Sequence, residues 1–295
     1  MRLATVAEPR GERVALVLAD DTLAFVDELA PGAPRDVLGV IDAGNALWAR
    51  LREAASSRRG GLPLEGSRLR APIPHLPRNA FCVGWNYSEH FAEGHGLRGS
   101  EPEKIPQWPA FFTKNPRCVV GPDAAVVHPA PHSDQLDWEV ELAVVVGRRG
   151  MDVREDDALG YVFGYTVAND VSVRDVQRRH GGQWMKGKNF DTHLPLGPWI
   201  VSADELGDPH ALAIRSRVNG VVKQDSSTRH MVFRVPRILR DLSLGMALEP
   251  GDIILTGTPS GVGFARTPPE FLTVGDMMEM EIERIGTLRN TVAMR

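Results

Sequence analysis

From Phe81 onward the chain is written in short apolar or alternating runs, cut every few residues by Gly, Pro or Asp. Leu142 to Val146, Tyr161 to Val167, Ala211 to Val218, Ile253 to Leu255 and Met277 to Ile282 are the clearest of them. Their period is mostly two, the side-chain repeat of a strand, and 29 Gly with 22 Pro supply the turns between them. This pattern predicts an α+β, mainly β, main domain with few helices. Met1 to about Ala71 reads as a smaller accessory unit. Arg13 to Leu18 and Thr22 to Val26 predict strands joined by a hairpin turn at Ala19-Asp20-Asp21. Val37, Ile41, Leu47, Trp48 and Leu51 then follow a near-helical spacing that stops at Gly60-Gly61, with Gly44 weakening the middle of that helix. Pro72 to Pro77 reads as a linker, so the boundary falls between residues 1–71 and 72–295. There is no internal repeat.

The run Asp137-Trp138-Glu139-Val140-Glu141-Leu142 and the valines after it read as one strand. Its period places Asp137, Glu139 and Glu141 on one face and Trp138, Val140 and Leu142 on the other. Carboxylates crowded at the start of a core strand repel one another and lose hydration unless something positive meets them. A divalent cation is the simplest partner, with Asp170, which ends the apolar run from Thr166, as a third oxygen ligand. Three carboxylates without Cys or His favour a hard ion, Mg²⁺ or Mn²⁺. The competing reading is a solvated edge strand with an ordinary acidic face.

Three further groups carry chemistry. His90 and Glu93 stand three apart, so one helical turn puts them on one face and lets Glu93 orient an imidazole that takes a proton from water; an exposed helix with incidental charges is the alternative. Arg174-Asp175-Val176-Gln177 and Met185 to Thr192 offer a guanidinium for a carboxylate and lysines for an enolate oxygen, with Arg178, Arg179 and Lys186 reading as surface charge. Thr256 to Gly263 permits close backbone approach to a ligand or forms a plain tight turn, and lacks the Gly-Lys-Ser/Thr of a phosphate loop.

Charge and cysteine content narrow the classes. A net charge of -4 argues against a nucleic-acid partner, and no apolar run reaches the roughly 18 residues that cross a membrane. The amino terminus lacks the apolar core of a secretory signal, and two cysteines, Cys82 and Cys118, suggest neither a disulfide framework nor structural zinc, so a reducing cytoplasm is expected.

Taken in order, these blocks resemble the fumarylacetoacetate hydrolase family. The matching text is Gly84-x-Asn86-Tyr87-x-x-His90-x-x-Glu93, Asp137-Trp138-Glu139-x-Glu141-Leu142, Asn169-Asp170-x-Ser172-x-Arg174-Asp175, Lys188-x-Phe190-Asp191-Thr192, Gly197-Pro198, Thr256-Gly257-Thr258-Pro259-x-Gly261 and Gly275-Asp276. It covers most of Phe81 to Val292, and the small leading unit resembles that of many members. The resemblance implies a mixed β-sandwich roll, often a homodimer, with the metal held by Glu139, Glu141 and Asp170. It implies that His90 and Glu93 are the water-activating pair on a segment that closes over the ligand, and that Lys188 lies beside metal and substrate. Arg174, Gln177 and Thr258 align with substrate contacts of some members. The activity expected is hydrolysis of a carbon–carbon bond in an acylpyruvate or related 1,3-diketo acid. Members also isomerise, tautomerise or decarboxylate 2-oxo acids through a shared enolate, and a catalytically silent ligand-binding protein is the rival from another class. Trp85, between Gly84 and Asn86, predicts an apolar or planar part in the substrate, and the stretch from Gly96 to Trp108 is long for the connection after the closing segment.

Overall fold

The computed structural model describes residues 1–96, 104–180 and 182–295, so most of the long connection noted above, residues 97–103, lies outside the described residues. Two sheets organise the chain. The larger, of 12 strands, runs through Leu62–Pro63, Thr22–Phe25, Gly11–Val17, Arg2–Glu8, Leu194–Ser202, Val162–Asn169, Val140–Val146, Ile253–Leu255, Ala80–Gly84 and Ala110–Lys114, with Leu69–Arg70 paired to Arg2–Glu8 and Val119–Val120 to Leu194–Ser202 off this path. The smaller has five strands in the order Val221–Ser227, Ala213–Val218, Met277–Ile282, Gly286–Ala293 and Ala125–Val127. The fold is α+β and mainly β.

Apolar side chains are segregated by strand parity. Leu142, Val144 and Val146 join Ile214, Met278, Met280 and Leu288 in a core between the two sheets. Ala143 and Val145 face the other way, into a core with Leu3, Leu16, Val40, Ile41 and Leu51. Val140–Val146 is therefore buried at every position, the behaviour of a strand covered on both faces.

Three local readings change on contact with the structure. The helix after the hairpin is two helices, Val37–Asp42 and Gly44–Ser57, because Gly44 takes a left-handed φ of 71° that no helix interior tolerates. Arg2–Glu8, not read as a strand, pairs with Gly11–Val17 and Leu194–Ser202, so one sheet runs across the boundary drawn at residue 71. The strand read from Asp137 to Val146 is broken. Leu136–Asp137 pairs with Ser172–Val173, whereas Val140–Val146 pairs with Val162–Asn169 and Ile253–Leu255. Side chains bridge the gap: the Glu139 N–H donates to Asn169 Oδ1 at 3.0 Å and the Val140 N–H to Gln224 Oε1 at 3.1 Å.

His193 shows how tightly the second core is closed. It precedes Leu194–Ser202, stacks on Phe190 at 5.5 Å between ring centroids, and donates from Nε2 to the Val127 carbonyl at 2.8 Å. Burial pushes its pKa down to about 3 from the usual 6.5. Below pH 6.5 the unfolded chain therefore takes up a proton that the folded chain refuses, and stability falls as pH falls toward 3. This group alone removes about 2 kcal/mol between pH 6.5 and 5. Urea titrations should show His193→Gln losing that much less stability over the interval than wild type; parallel losses would refute the assignment.

Candidate metal and active site

The cleft lies at one end of the broken strand, where four carboxylates, Asp137, Glu139, Glu141 and Asp170, are all buried. The sheet itself brings the distant pair together, since the Asp170 N–H donates to the Glu139 carbonyl at 2.9 Å. Oxygens of Glu139, Glu141 and Asp170 then lie within 4.8 Å of one another.

Three buried cations meet these acids. Lys188 Nζ sits 2.9 Å from Glu139 Oε2 and 2.7 Å from Asp170 Oδ2. Lys114 Nζ donates to Asp170 Oδ1 at 2.7 Å and to the Val171 carbonyl at 3.0 Å. Arg174 reaches Asp137 Oδ2 through Nε at 2.7 Å and Glu139 Oε1 through Nη1, also at 2.7 Å. Burial alone would raise the Glu139 carboxyl, but the Lys188 ammonium and Arg174 guanidinium outweigh it and hold the group well below the usual range. Glu141 moves the other way: burial, then Asp170 and Glu139, push it up, with Lys188 and the Gly257 N–H offsetting only part. Lys114, Lys188 and Arg174 pair with Asp137, Glu139 and Asp170, and among the described residues no fixed cation bonds Glu141 directly. An all-oxygen trio that close, one member of it without a cation of its own, fits a small hard dication.

The loop Thr256–Gly263 is more than a turn. Its Gly257 N–H donates to Glu141 Oε2 at 2.6 Å, Gly261 N–H to Glu93 Oε2 at 2.7 Å, and Gly263 N–H to Asp137 Oδ1 at 2.7 Å. Gly261 has φ 106°, and a Cβ there would overlap the Lys223 carbonyl oxygen, so no other residue fits. The other Glu93 oxygen accepts from His90 Nδ1 at 2.7 Å, on the helix Ser88–Glu93. A carboxylate can only accept, which assigns the proton to Nδ1 and leaves Nε2 as the basic nitrogen of the neutral ring.

His90, Glu139, Glu141, Arg174, Gln177, Lys188 and Thr258 all line this one cleft; Glu93 stands behind His90, and Asp170 behind Lys188. The remaining volume is about 40 Å³, room for about three waters. Arg174 Nη2 is buried with no protein acceptor among the described residues, although Gln177 accepts from Nη1 at 3.2 Å. The Thr258 hydroxyl already donates to the Val140 carbonyl at 2.9 Å and accepts from Gln224 Nε2 at 2.7 Å, so it can only accept a further bond. Asp137, grouped by parity with the other acids, instead holds the Gly263 and Phe264 N–H groups and Arg174.

Lys114 was not read from the sequence. Its signal is the one that pointed to Asp170: a charged residue ending an apolar run, here Ala110–Lys114. Trp184 and Phe112, which also line the cleft, carried no signal of their own.

A family model described as fumarylacetoacetate hydrolase C-terminal matches residues 79–293. The chain belongs to the fumarylacetoacetate hydrolase family. Oxaloacetate tautomerase FAHD2A, mitochondrial, of Bos taurus is 43% identical over 263 residues, covering 89% of this chain and 81% of that protein. Among solved structures, fumarylacetoacetate hydrolase from Exiguobacterium antarcticum has 35% identity and a TM-score of 0.82, with 100% of each chain covered. Maleylpyruvate hydrolase from Sphingobium sp. SYK-6, solved in complex with manganese(II) ion and pyruvate, has 29% identity and a TM-score of 0.79, covering 100% of this chain and 99% of that one. Members of this family that resemble the chain thus include both tautomerase and hydrolase.

The burial and crowding of Glu141 make a prediction. Glu141→Gln should leave the metal-free protein as stable as wild type or more so, since it removes a buried repulsion. The same change should weaken Mn²⁺ binding by roughly 100-fold or more. Thermal unfolding in chelator and in excess Mn²⁺ checks both; an undiminished Mn²⁺-dependent rise in Tm would remove Glu141 from the ligand set.

Proposed function

We propose that the chain interconverts the keto and enol forms of a small 2-oxo dicarboxylic acid of the oxaloacetate class, with Mg²⁺ or Mn²⁺ held by Glu139, Glu141 and Asp170. The observation that carries this reading is the cleft itself: an oriented His90–Glu93 pair and an Arg174 nitrogen with no acceptor among the described residues stand beside the acidic trio. The tautomerase name of the Bos taurus relative supports the same choice. A divalent ion at the trio would act as a Lewis acid on the 2-oxo group. It would also add positive charge to the cleft, which favours an anionic acid.

The chain's own residues supply the proton transfers. Glu93, fixed at both oxygens, holds His90 so that Nε2 takes a proton from C3 of the keto acid. The electron pair released forms the C2–C3 double bond as the C2–O π pair moves onto oxygen, to which the Lys188 ammonium donates a hydrogen bond. That oxygen then takes a proton from solvent and His90 gives its own up to solvent, which completes the enol. Arg174 Nη2 and the Gln177 amide hold a substrate carboxylate. Thr258 is left the role of acceptor for a substrate hydroxyl. The free, buried thiols of Cys82 and Cys118 suit a reducing compartment such as the cytoplasm, and the homodimer implied by the family resemblance is open to sedimentation analysis.

Hydrolysis of an acylpyruvate is the second reading, and the same His90–Glu93 pair favours it because a base oriented this way would equally deprotonate water. The two separate by product. With Mg²⁺ or Mn²⁺ present, tautomerisation should accelerate deuterium entry at C3 of oxaloacetate in D₂O, read by NMR, without carbon–carbon cleavage. Cleavage of acylpyruvates with solvent ¹⁸O in the new carboxylate, and no effect on oxaloacetate, would replace the first reading by the second. Under either, His90→Gln should lower kcat by about 10²–10⁴ with Tm little changed; full turnover by that variant would strip His90 of its role as base.

A further inference from the structure

Part of the cleft's lining is aromatic and comes from three separate segments. Trp85 follows Ala80–Gly84, Phe112 lies within Ala110–Lys114, and Trp184 immediately precedes the helix Met185–Lys188 that carries Lys188. Trp184 is the hub: its ring lies 4.6 Å from that of Trp85 at 85° and 5.3 Å from that of Phe112 at 73°. Both are edge-to-face arrangements, which lock rings in place. Gly84 makes this packing feasible, since a Cβ there would overlap Cζ3 and Cη2 of the Trp184 ring. Trp85 is held at φ 56°, a conformation bulky side chains avoid, and in it meets Trp184 on one side and Phe91 on the other at 6.1 Å. A strained residue that buttresses a cleft wall is the kind of outlier that points to function. Phe112 also sits 5.1 Å from Lys188 Nζ, so the wall begins where the acidic trio's cation ends.

We propose, resting on the oxo-acid reading above, that Trp184 is the specificity-determining residue that limits substrate length: an acid anchored at the trio and at Arg174 extends toward its indole, and chains longer than the compact 2-oxo acids collide with it. Trp85 and Phe112 are positioning residues that keep the indole from swinging aside, and Gly84 is the space it occupies. An apolar wall discriminates by size alone, by about 10-fold or more per excess methylene when the wall is rigid.

The test uses calorimetric titration of the full-length Mn²⁺-loaded protein with pyruvate, 2-oxobutanoate, 2-oxopentanoate and 2-oxohexanoate. Wild type should bind 2-oxohexanoate at least about 10-fold more weakly than pyruvate. In Trp184→Ala the 2-oxohexanoate to pyruvate affinity ratio should rise by at least about 10-fold, with Trp184→Phe between the two. Should the alanine variant fail to fold, the phenylalanine variant carries the comparison. A ratio unchanged across the variants, or no decline with length in wild type, overturns the length limit while leaving the oxo-acid reading standing. Pyruvate binding to none of the proteins, with Mn²⁺ bound, overturns the oxo-acid reading and the length limit with it.

Discussion

The arrangement depends on how four carboxylates survive burial at one end of a sheet. An ionised carboxylate in a core costs several kcal/mol unless it is paired and its lone pairs are satisfied. Here Lys188 bridges Glu139 and Asp170, Lys114 backs Asp170, Arg174 joins Asp137 to Glu139, and backbone N–H groups take up much of the remainder. The pairing stops at Glu141, which has the Gly257 N–H but no cation of its own among the described residues. That leaves one carboxyl of the trio for an added cation to pair.

The same need for partners shapes the backbone. A regular ladder from Asp137 to Val146 would spend its N–H and C=O groups on neighbouring strands. Breaking it after Asp137 lets Asn169 and Gln224 side chains take two of those N–H groups and frees Glu139 to turn toward Asp170. The glycine-rich loop then acts as a row of donors, pinning Glu141, Glu93 and Asp137 through three amides within seven residues of chain. Glu141 of the acid trio and Glu93 of the His90 pair are thereby held by one element, which fixes their geometry relative to each other.

Much of this was legible in the linear text. Period-two runs gave the β-rich core, and Glu-x-Glu followed by a remote acid gave three of the four carboxylates. The i, i+3 spacing gave the His90–Glu93 contact, found in the structure at 2.7 Å. Parity misled at Asp137, because it assumes an unbroken strand and a ladder interruption is decided by side chains from other segments. Lys114 escaped notice because a lysine ending a short strand is ordinary until the strand is laid beside Asp170. Trp184 escaped because nothing local distinguishes an indole that faces a cleft from one that fills a core.

The chain alone thus determined which chemical groups were present and which local geometry each could adopt, since period, propensity and i, i+3 spacing are short-range properties of the backbone. Tertiary structure decided what those groups do to one another: which cation pairs with which acid, which carboxyl is left without one, and which rings meet at Trp184. Coulombic pairing and close packing act through space between residues 50 to 130 positions apart, such as Lys114 with Asp170 or Gly263 with Asp137, and local sequence carries no record of that proximity.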